Sequence, residues 1–256
     1  MAEDNNLLCA LKPDDFELLA PNLGRARHAA GDVLYEPGDT VNYAYFPCGQ
    51  ALASYRVILP DGRGVETALI GREGAIGGIV SHGRLPAYAR AIVQFEGHFL
   101  KISSSQLESL KKASSTLNNL FARYADCLLA QVFQSTACNA THSIEQRAAK
   151  WMLAALDRIG SAEVSLTQEQ LGGLLGVGRS YVSRVMRKLR EDGVLKTRRG
   201  RVLVVRRADL EARSCDCNTL VREHFEEVLR GVYPTNGEEI GSEKAPASHV
   251  SPARSP

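Results

Sequence analysis

The sequence predicts an α+β chain: an N-terminal β-roll of the jelly-roll kind, one long helix, and a C-terminal winged helix-turn-helix. Three observations predict it. Short apolar runs broken by Gly and Pro turns fill the first hundred residues at roughly ten-residue spacing. A helical pattern then runs over residues 117–140 with neither Gly nor Pro to interrupt it. Finally, two short helical stretches joined by Gly176-Val177-Gly178 precede a pair of apolar strands.

Each element has its own local signal. Residues 13–19 read as a short helix ahead of the strands. Gly31-Asp32 and Pro37-Gly38-Asp39 are turn chemistry around a strand at 33–35. Residues 41–46 and 52–59 are rich in apolar, aromatic and β-branched side chains. Pro60-Asp61-Gly62 turns the chain into a strand at 65–70. Residues 90–102 alternate loosely, with Ile92, Phe95, Phe99, Leu100 and Ile102 as the apolar members. Ser104 or Ser105 caps a short helix ending near Leu110.

The long helix, about 25 residues, is roughly 37 Å at the standard rise. Leu117, Phe121, Tyr124, Leu128, Gln131 and Ser135 recur along it at three- and four-residue steps, with Leu120 and Val132 beside them. Its length and its place between two units predict that this stripe pairs with a second copy. Ser143 and Gln146 fit a capping box opening a further helix over 143–158. The resulting division is a roll at 7–112, a dimerisation helix at 113–141 and a winged unit at 142–230. A Pro-, Ser-, Gly- and Glu-rich tail at 234–256 is predicted to be disordered.

At 256 residues, with 44% hydrophobic and 23% charged side chains, the chain has the profile of an ordinary globular protein. No apolar run reaches the length of a membrane span. No basic residue precedes the short apolar stretch near the N-terminus, so no secretory signal is expected. Cysteines at 9, 48, 127, 138, 215 and 217 then read as reduced thiols in a cytoplasm.

The net charge of +2 conceals a strong asymmetry. Residues 165–207 carry eleven Lys or Arg against Glu169, Glu191 and Asp192, a local charge of about +8, which leaves the rest net acidic. Thr167 caps the first helix of the pair, beginning at Gln168; Arg179 or Ser180 opens the second. Leu171, Leu174, Val177, Val182, Val185, Met186 and Leu189 form the apolar inner face, while Arg179, Arg184, Arg187, Lys188 and Arg190 lie outside it. Charge alone would describe a solvated face. Charge on a turn-linked helix pair beside an arginine-rich hairpin describes a grip on double-stranded DNA. Arg179 and Arg184 suit guanine edges or phosphates, Ser180, Tyr181 and Ser183 add hydrogen bonds, Arg199 and Arg201 of the hairpin hold the backbone, and Thr167, Gln168, Arg187 and Lys188 complete the expected DNA-binding set.

Leu166-Thr167-Gln168-Glu169, followed by Gly176-Val177-Gly178-Arg179-Ser180-Tyr181-Val182-Ser183-Arg184, resembles the DNA-reading motif of the Crp/Fnr family of bacterial transcription regulators. Upstream, the stretch from Gly31 through Asp39 resembles that family's early β-roll turn. Asp61-Gly62-Arg63 and Gly71-Arg72-Glu73-Gly74 fall where its sensor roll has turns. The resemblance covers about residues 7–230. It implies a cyclic-nucleotide-binding-like roll, a homodimer on a two-fold symmetric site, and contact with RNA polymerase as an activator or a repressor. Ser180 stands where many members carry Glu, so no family consensus is transferred.

The resemblance also bears on cofactors. Cyclic-nucleotide-binding members follow a Gly-Glu-x-Gly stretch with an Arg-Ser or Arg-Thr pair that neutralises the phosphate. Here Leu85 and Pro86 stand at that pair, and Val132 and Phe133 where a hydroxyl pair meets the purine. Burying a phosphate without an in-register cation is costly, so no cyclic nucleotide is expected. Any effector pocket falls on Glu73, Gly74, Arg84, Arg90, Leu128 and Val132. Iron–sulfur members cluster cysteines near the N-terminus, where this chain has Cys9 and then only the distant Cys48. Cys215 and Cys217 are spaced too tightly for the usual metal pair and read as two stray thiols. His28, His82 and His98 read as ordinary surface or core residues rather than haem ligands. No metal or cofactor is therefore expected.

Two other readings compete. An enzyme or ligand-binding protein built on the roll would need catalytic spacing, but the P-loop, His-Glu-x-x-His and Gly-x-Ser-x-Gly patterns are missing. A regulator answering a cyclic nucleotide, or a sensor working by protein contact without DNA, is the alternative that the basic winged helix argues against.

Overall fold

The structure, a computed structural model, describes residues 5–81, 83–198 and 200–230. His82, Arg199 and the tail expected at 234–256 lie outside the described residues.

Buried Asn5 starts the fold by capping α1 (Asn6–Cys9), its Oδ1 accepting from Leu8 N at 3.1 Å. Its Nδ2 donates to the carbonyls of Pro47 and Gly74, so this one amide ties the N-terminus to two parts of the roll. After α2 (Pro13–Leu19) come eight strands: β1 (Gly24–His28), β2 (Val33–Tyr35), β3 (Tyr43–Pro47), β4 (Leu52–Ile58), β5 (Gly64–Ile70), β6 (Ile76–Gly77), β7 (Arg90–Phe95) and β8 (Gly97–Ser103). They form two antiparallel four-stranded sheets, ordered β1-β8-β3-β6 and β2-β7-β4-β5. Between the sheets lie Tyr35, Ile70, Ile76, Val93 and Phe99. The expected jelly roll is present.

Two strands differ from the sequence reading. The run expected at 90–102 is divided, because β7 belongs to one sheet and β8 to the other. The chain crosses at Gly97, where any Cβ would stand 2.7 Å from the Cβ of Ala51. Strand β1, Gly-Arg-Ala-Arg-His, carries no apolar alternation, since it is a mostly exposed sheet edge.

Three helices follow: α3 (Ser104–Ala113), α4 (Ser115–Thr141) and α5 (Ile144–Ile159). Ser103, Ser114 and Ser143 cap them, and Gln146 completes the expected capping box. The winged unit consists of β9 (Glu163–Ser165), α6 (Gln168–Leu175), α7 (Arg179–Glu191), β10 (Leu195–Arg198) and β11 (Arg201–Val204), with the three strands ordered β10-β11-β9. Its core of Met152, Leu171, Val182, Met186, Leu189 and Val194 continues through Trp151 to Leu52 and Leu69 of the roll. After α8 (Arg207–Glu211), α9 (Cys217–Arg230) leaves this unit and packs along α4. Phe225 meets Tyr124 edge-on, and Arg123 Nη1 donates to Val228 O at 2.8 Å.

The stripe expected to pair with a second copy faces the other way. Leu117, Phe121, Tyr124 and Gln131 are buried within their own chain. Tyr124 Oη donates to Ala75 O at 3.0 Å and Gln131 Nε2 to Leu69 O at 3.0 Å. Leu128 packs between two core clusters of the same subunit, and Ser135 lines a small space beside Trp151 and Arg147. The helix has a second stripe: Ala122, Asp126, Leu129, Phe133, Thr136 and Ala140 are all exposed and follow steps of four and three. Leu129 is 50% and Phe133 64% exposed. The richer apolar stripe was legible, but it is the one that binds the helix to its own roll. Among the described residues no helix is long and apolar enough to cross a membrane.

Candidate nucleic-acid interface

Local chemistry fixes the helix pair. Thr167 Oγ1 accepts from Gln170 N at 3.1 Å, and Gln170 Oε1 accepts from Thr167 N at 2.8 Å. At the far end of α6, Gly176 takes a φ of 68°, a left-handed cap that other residues resist. Gly172 permits a close approach, since a Cβ there would lie 2.9 Å from the Val177 carbonyl. Val182, Val185, Met186 and Leu189, spaced by threes and fours, then bury one side of α7.

The opposite side is a cationic surface. Arg179, Ser180, Tyr181, Arg184 and Arg187 are exposed along α7. The Arg184 guanidinium carbon lies 4.8 Å from the Tyr181 ring centre, a cation–π contact that pre-orients the fork. The wing stands beside this face. A groove lined by Thr167, Gln168, Arg179, Arg198 and Arg201 joins the starts of α6 and α7 to the hairpin. Four of the residues expected to bind DNA are therefore in one place.

Others are committed elsewhere. Ser183 Oγ donates to Gln168 Oε1 at 2.7 Å, so both brace the helix pair. Thr167 caps α6 through its hydroxyl oxygen. Lys188 pairs with Glu145 of α5 at 3.2 Å, and Arg201 with Glu163 of β9 at 3.4 Å. Arg199 lies outside the described residues. Lys196 and Arg198 of β10, counted in the basic charge but not assigned a contact, are exposed on the wing with Thr197 between them. Their signal was their place in the short hairpin strand before the turn.

Residues 146–213 match the Crp-like helix-turn-helix domain family. Solved structures give the same architecture over most of the chain. FixK2 from Bradyrhizobium japonicum is 17% identical, with a TM-score of 0.65 over 75% of this chain and 98% of its own. TTHB099, a CRP-family transcriptional regulator from Thermus thermophilus, is 22% identical, with a TM-score of 0.63 over 73% and 95%. A Crp/Fnr-family transcriptional regulator from Eubacterium rectale is 17% identical, with a TM-score of 0.59 over 80% and 96%. No curated protein matches the chain. The chain carries a Crp-like helix-turn-helix domain, and its fold is that of Crp/Fnr transcription regulators.

The residues expected around an effector are engaged with neighbours of their own. Glu73 pairs with Arg158 of α5 at 2.7 Å. Arg90 pairs with Glu36 at 2.8 Å, and Arg84 donates to Thr40 Oγ1 at 3.2 Å. Gly74 packs against Tyr124, whose hydroxyl would lie 2.2 Å from any added Cβ. Tyr35 donates to the Tyr43 carbonyl, and Tyr55 Oη accepts from Gly77 N at 2.9 Å, so both hydroxyls are committed within the roll. His28 meets Tyr45 and Phe99 edge-on, as a packed ring.

The reading of Cys215 and Cys217 as stray thiols does not hold. Both are buried against Cys138, with His142 adjoining. The i, i+4 spacing of Cys138 and His142 at a helix end was the available signal.

Proposed function

We propose that this regulator acts as a homodimer on a two-fold symmetric DNA site. Two chains would join along the Leu129 and Phe133 stripe of α4 and place their α7 helices in successive major grooves, about 34 Å apart. Arg179 and Arg184 read base edges, with Ser180 and Tyr181 beside them. Arg187, Arg198 and Arg201 hold phosphates, and Lys188 joins them by exchanging Glu145 for DNA. The observation that carries this reading is the exposed Arg179–Arg184–Arg187 face of α7 set beside a basic wing. Selection of bound duplexes from a randomised pool tests it. Paired inverted half-sites with centres about 10 base pairs apart are expected; recovery of unrelated sequences only would overturn it.

The roll is read as a sensor-derived scaffold that takes no cyclic nucleotide, supported by Leu85 and Pro86 at the phosphate position and by the packing of Tyr35, Tyr45 and Tyr55 against the core between the sheets. Calorimetric titration with cyclic AMP and cyclic GMP is expected to give no binding heat. Signals to the readers pass through α5, which Arg158–Glu73 and Trp151–Glu66 contacts join to the roll and an Arg147–Leu175 contact joins to α6 of the winged unit. A change there shifts the population between dimer arrangements, and with it contact to RNA polymerase in the cytoplasm.

A further inference from the structure

The ligand atoms of Cys138, His142, Cys215 and Cys217 all lie within 4.8 Å of one another. Cys138 Sγ is 3.7 Å from Cys215 Sγ, and Cys217 Sγ is 3.6 Å from His142 Nδ1. A tetrahedral zinc ion with Zn–S bonds of about 2.3 Å and a Zn–N bond of about 2.0 Å has edges of about 3.8 Å between sulfurs and about 3.5 Å between sulfur and nitrogen. Two of the six edges, at 3.7 Å and 3.6 Å, therefore match a tetrahedron around zinc. All three thiols are buried and the imidazole is half-buried. We propose that these four residues form a structural Cys3His site for a single zinc ion at the junction of the dimerisation helix with the end of the winged unit.

The surroundings fit a thiolate site. Gln134 Nε2 donates to Cys217 Sγ at 3.1 Å, the kind of amide–sulfur bond that steadies a coordinated thiolate. Lys150 lies close enough to Cys138 to favour its anion. On binding, the three thiols release their protons to solvent, the ion sheds its waters, and His142 supplies its neutral Nδ1 lone pair. Three thiolates and a divalent ion leave one negative charge, which Lys150 and the Gln134 amide offset.

A multi-iron cluster does not fit, because it spreads its thiolates over several metal atoms rather than around one point. The ligands come from three chain segments. Cys138 and His142 end α4, Cys215 lies in the link after α8, and Cys217 opens α9. The ion therefore clamps α9 onto α4 beside the α4–α5 hinge and fixes where the chain leaves the wing.

The test uses the full chain purified under reducing conditions. Metal analysis is expected to give one zinc per chain after exhaustive exchange into metal-free buffer. Cobalt substitution is expected to give the visible bands and sulfur-to-metal charge transfer of tetrahedral thiolate ligation. Cys138→Ser and Cys215→Ser should lose the ion, Gln134→Leu should bind it about tenfold more weakly, and Cys9→Ser should keep it. If a serine variant fails to fold, the cobalt spectrum of the wild-type chain still decides. Well under one metal per folded wild-type chain, a cobalt spectrum without charge transfer, or a Cys138–Cys215 disulfide in the metal-free protein would each overturn the site.

Discussion

Trp151 Nε1 donates to Glu66 Oε1 at 2.7 Å, and this bond links α5 of the C-terminal half to β5 of the roll. The second carboxylate oxygen is buried, and Ser54 lies close enough to act on the group. Burial raises the Glu66 carboxyl to about 7, and the Trp151 hydrogen bond opposes this only in part.

That relationship makes the junction pH-dependent. A raised carboxyl is bound to its proton in the folded chain while the unfolded chain has lost it. Its contribution is thus complete below the ordinary value of 4.5 and is lost as pH rises through about 7. Glu66→Gln keeps an acceptor for Trp151 and removes the charge. Denaturant unfolding of the wild type should weaken between about pH 5 and pH 8 more than that of the variant. Parallel pH curves would show that Glu66 does not carry the effect.

Arg184 and Arg198 should fail differently. Arg184→Ala is expected to cost roughly 1–3 kcal/mol on the preferred site and to relax one base position. Arg198→Ala should weaken all sequences alike and reduce the salt slope by about 1. Mobility shifts with base-substituted duplexes at several salt concentrations separate the two. Unchanged base preference in Arg184→Ala would remove that residue from the reading role.

The two faces of α4 make opposite predictions. Phe121 is buried in its own subunit, so Phe121→Ala should lower unfolding stability by about 3–5 kcal/mol. Phe133 is 64% exposed, and Phe133→Asp should leave the chain folded. Sedimentation should then show that Phe133→Asp has half the mass of the wild type. A Phe133→Asp chain that remains dimeric would move the interface off this stripe.

Much of the architecture was readable because local chemistry decided it. The Ser143–Gln146 capping box, the Thr167 cap and the glycine turn at 176–178 placed α5, α6 and α7 within about a residue. Three features needed the third dimension. The α4 helix carries two stripes at helical spacing, and only packing shows that Leu117 and Phe121 serve the roll while Leu129 and Phe133 face outward. The commitment of Ser183 to Gln168 and of Lys188 to Glu145 depends on how the helices cross. Cys138 and Cys215 are 77 positions apart, and the return of the C-terminal chain to α4 is what brings them together.

The central claim is that the basic face of α7 and its wing hold a duplex between two chains. Fluorescence anisotropy of a labelled duplex carrying a selected site, titrated with the full chain across a salt series, tests it most directly. The expected result is saturation at two chains per duplex, with affinity falling steeply as salt rises, as counterion release from several phosphates requires. Saturation at one chain per duplex, or no binding even in dilute buffer, would contradict the account.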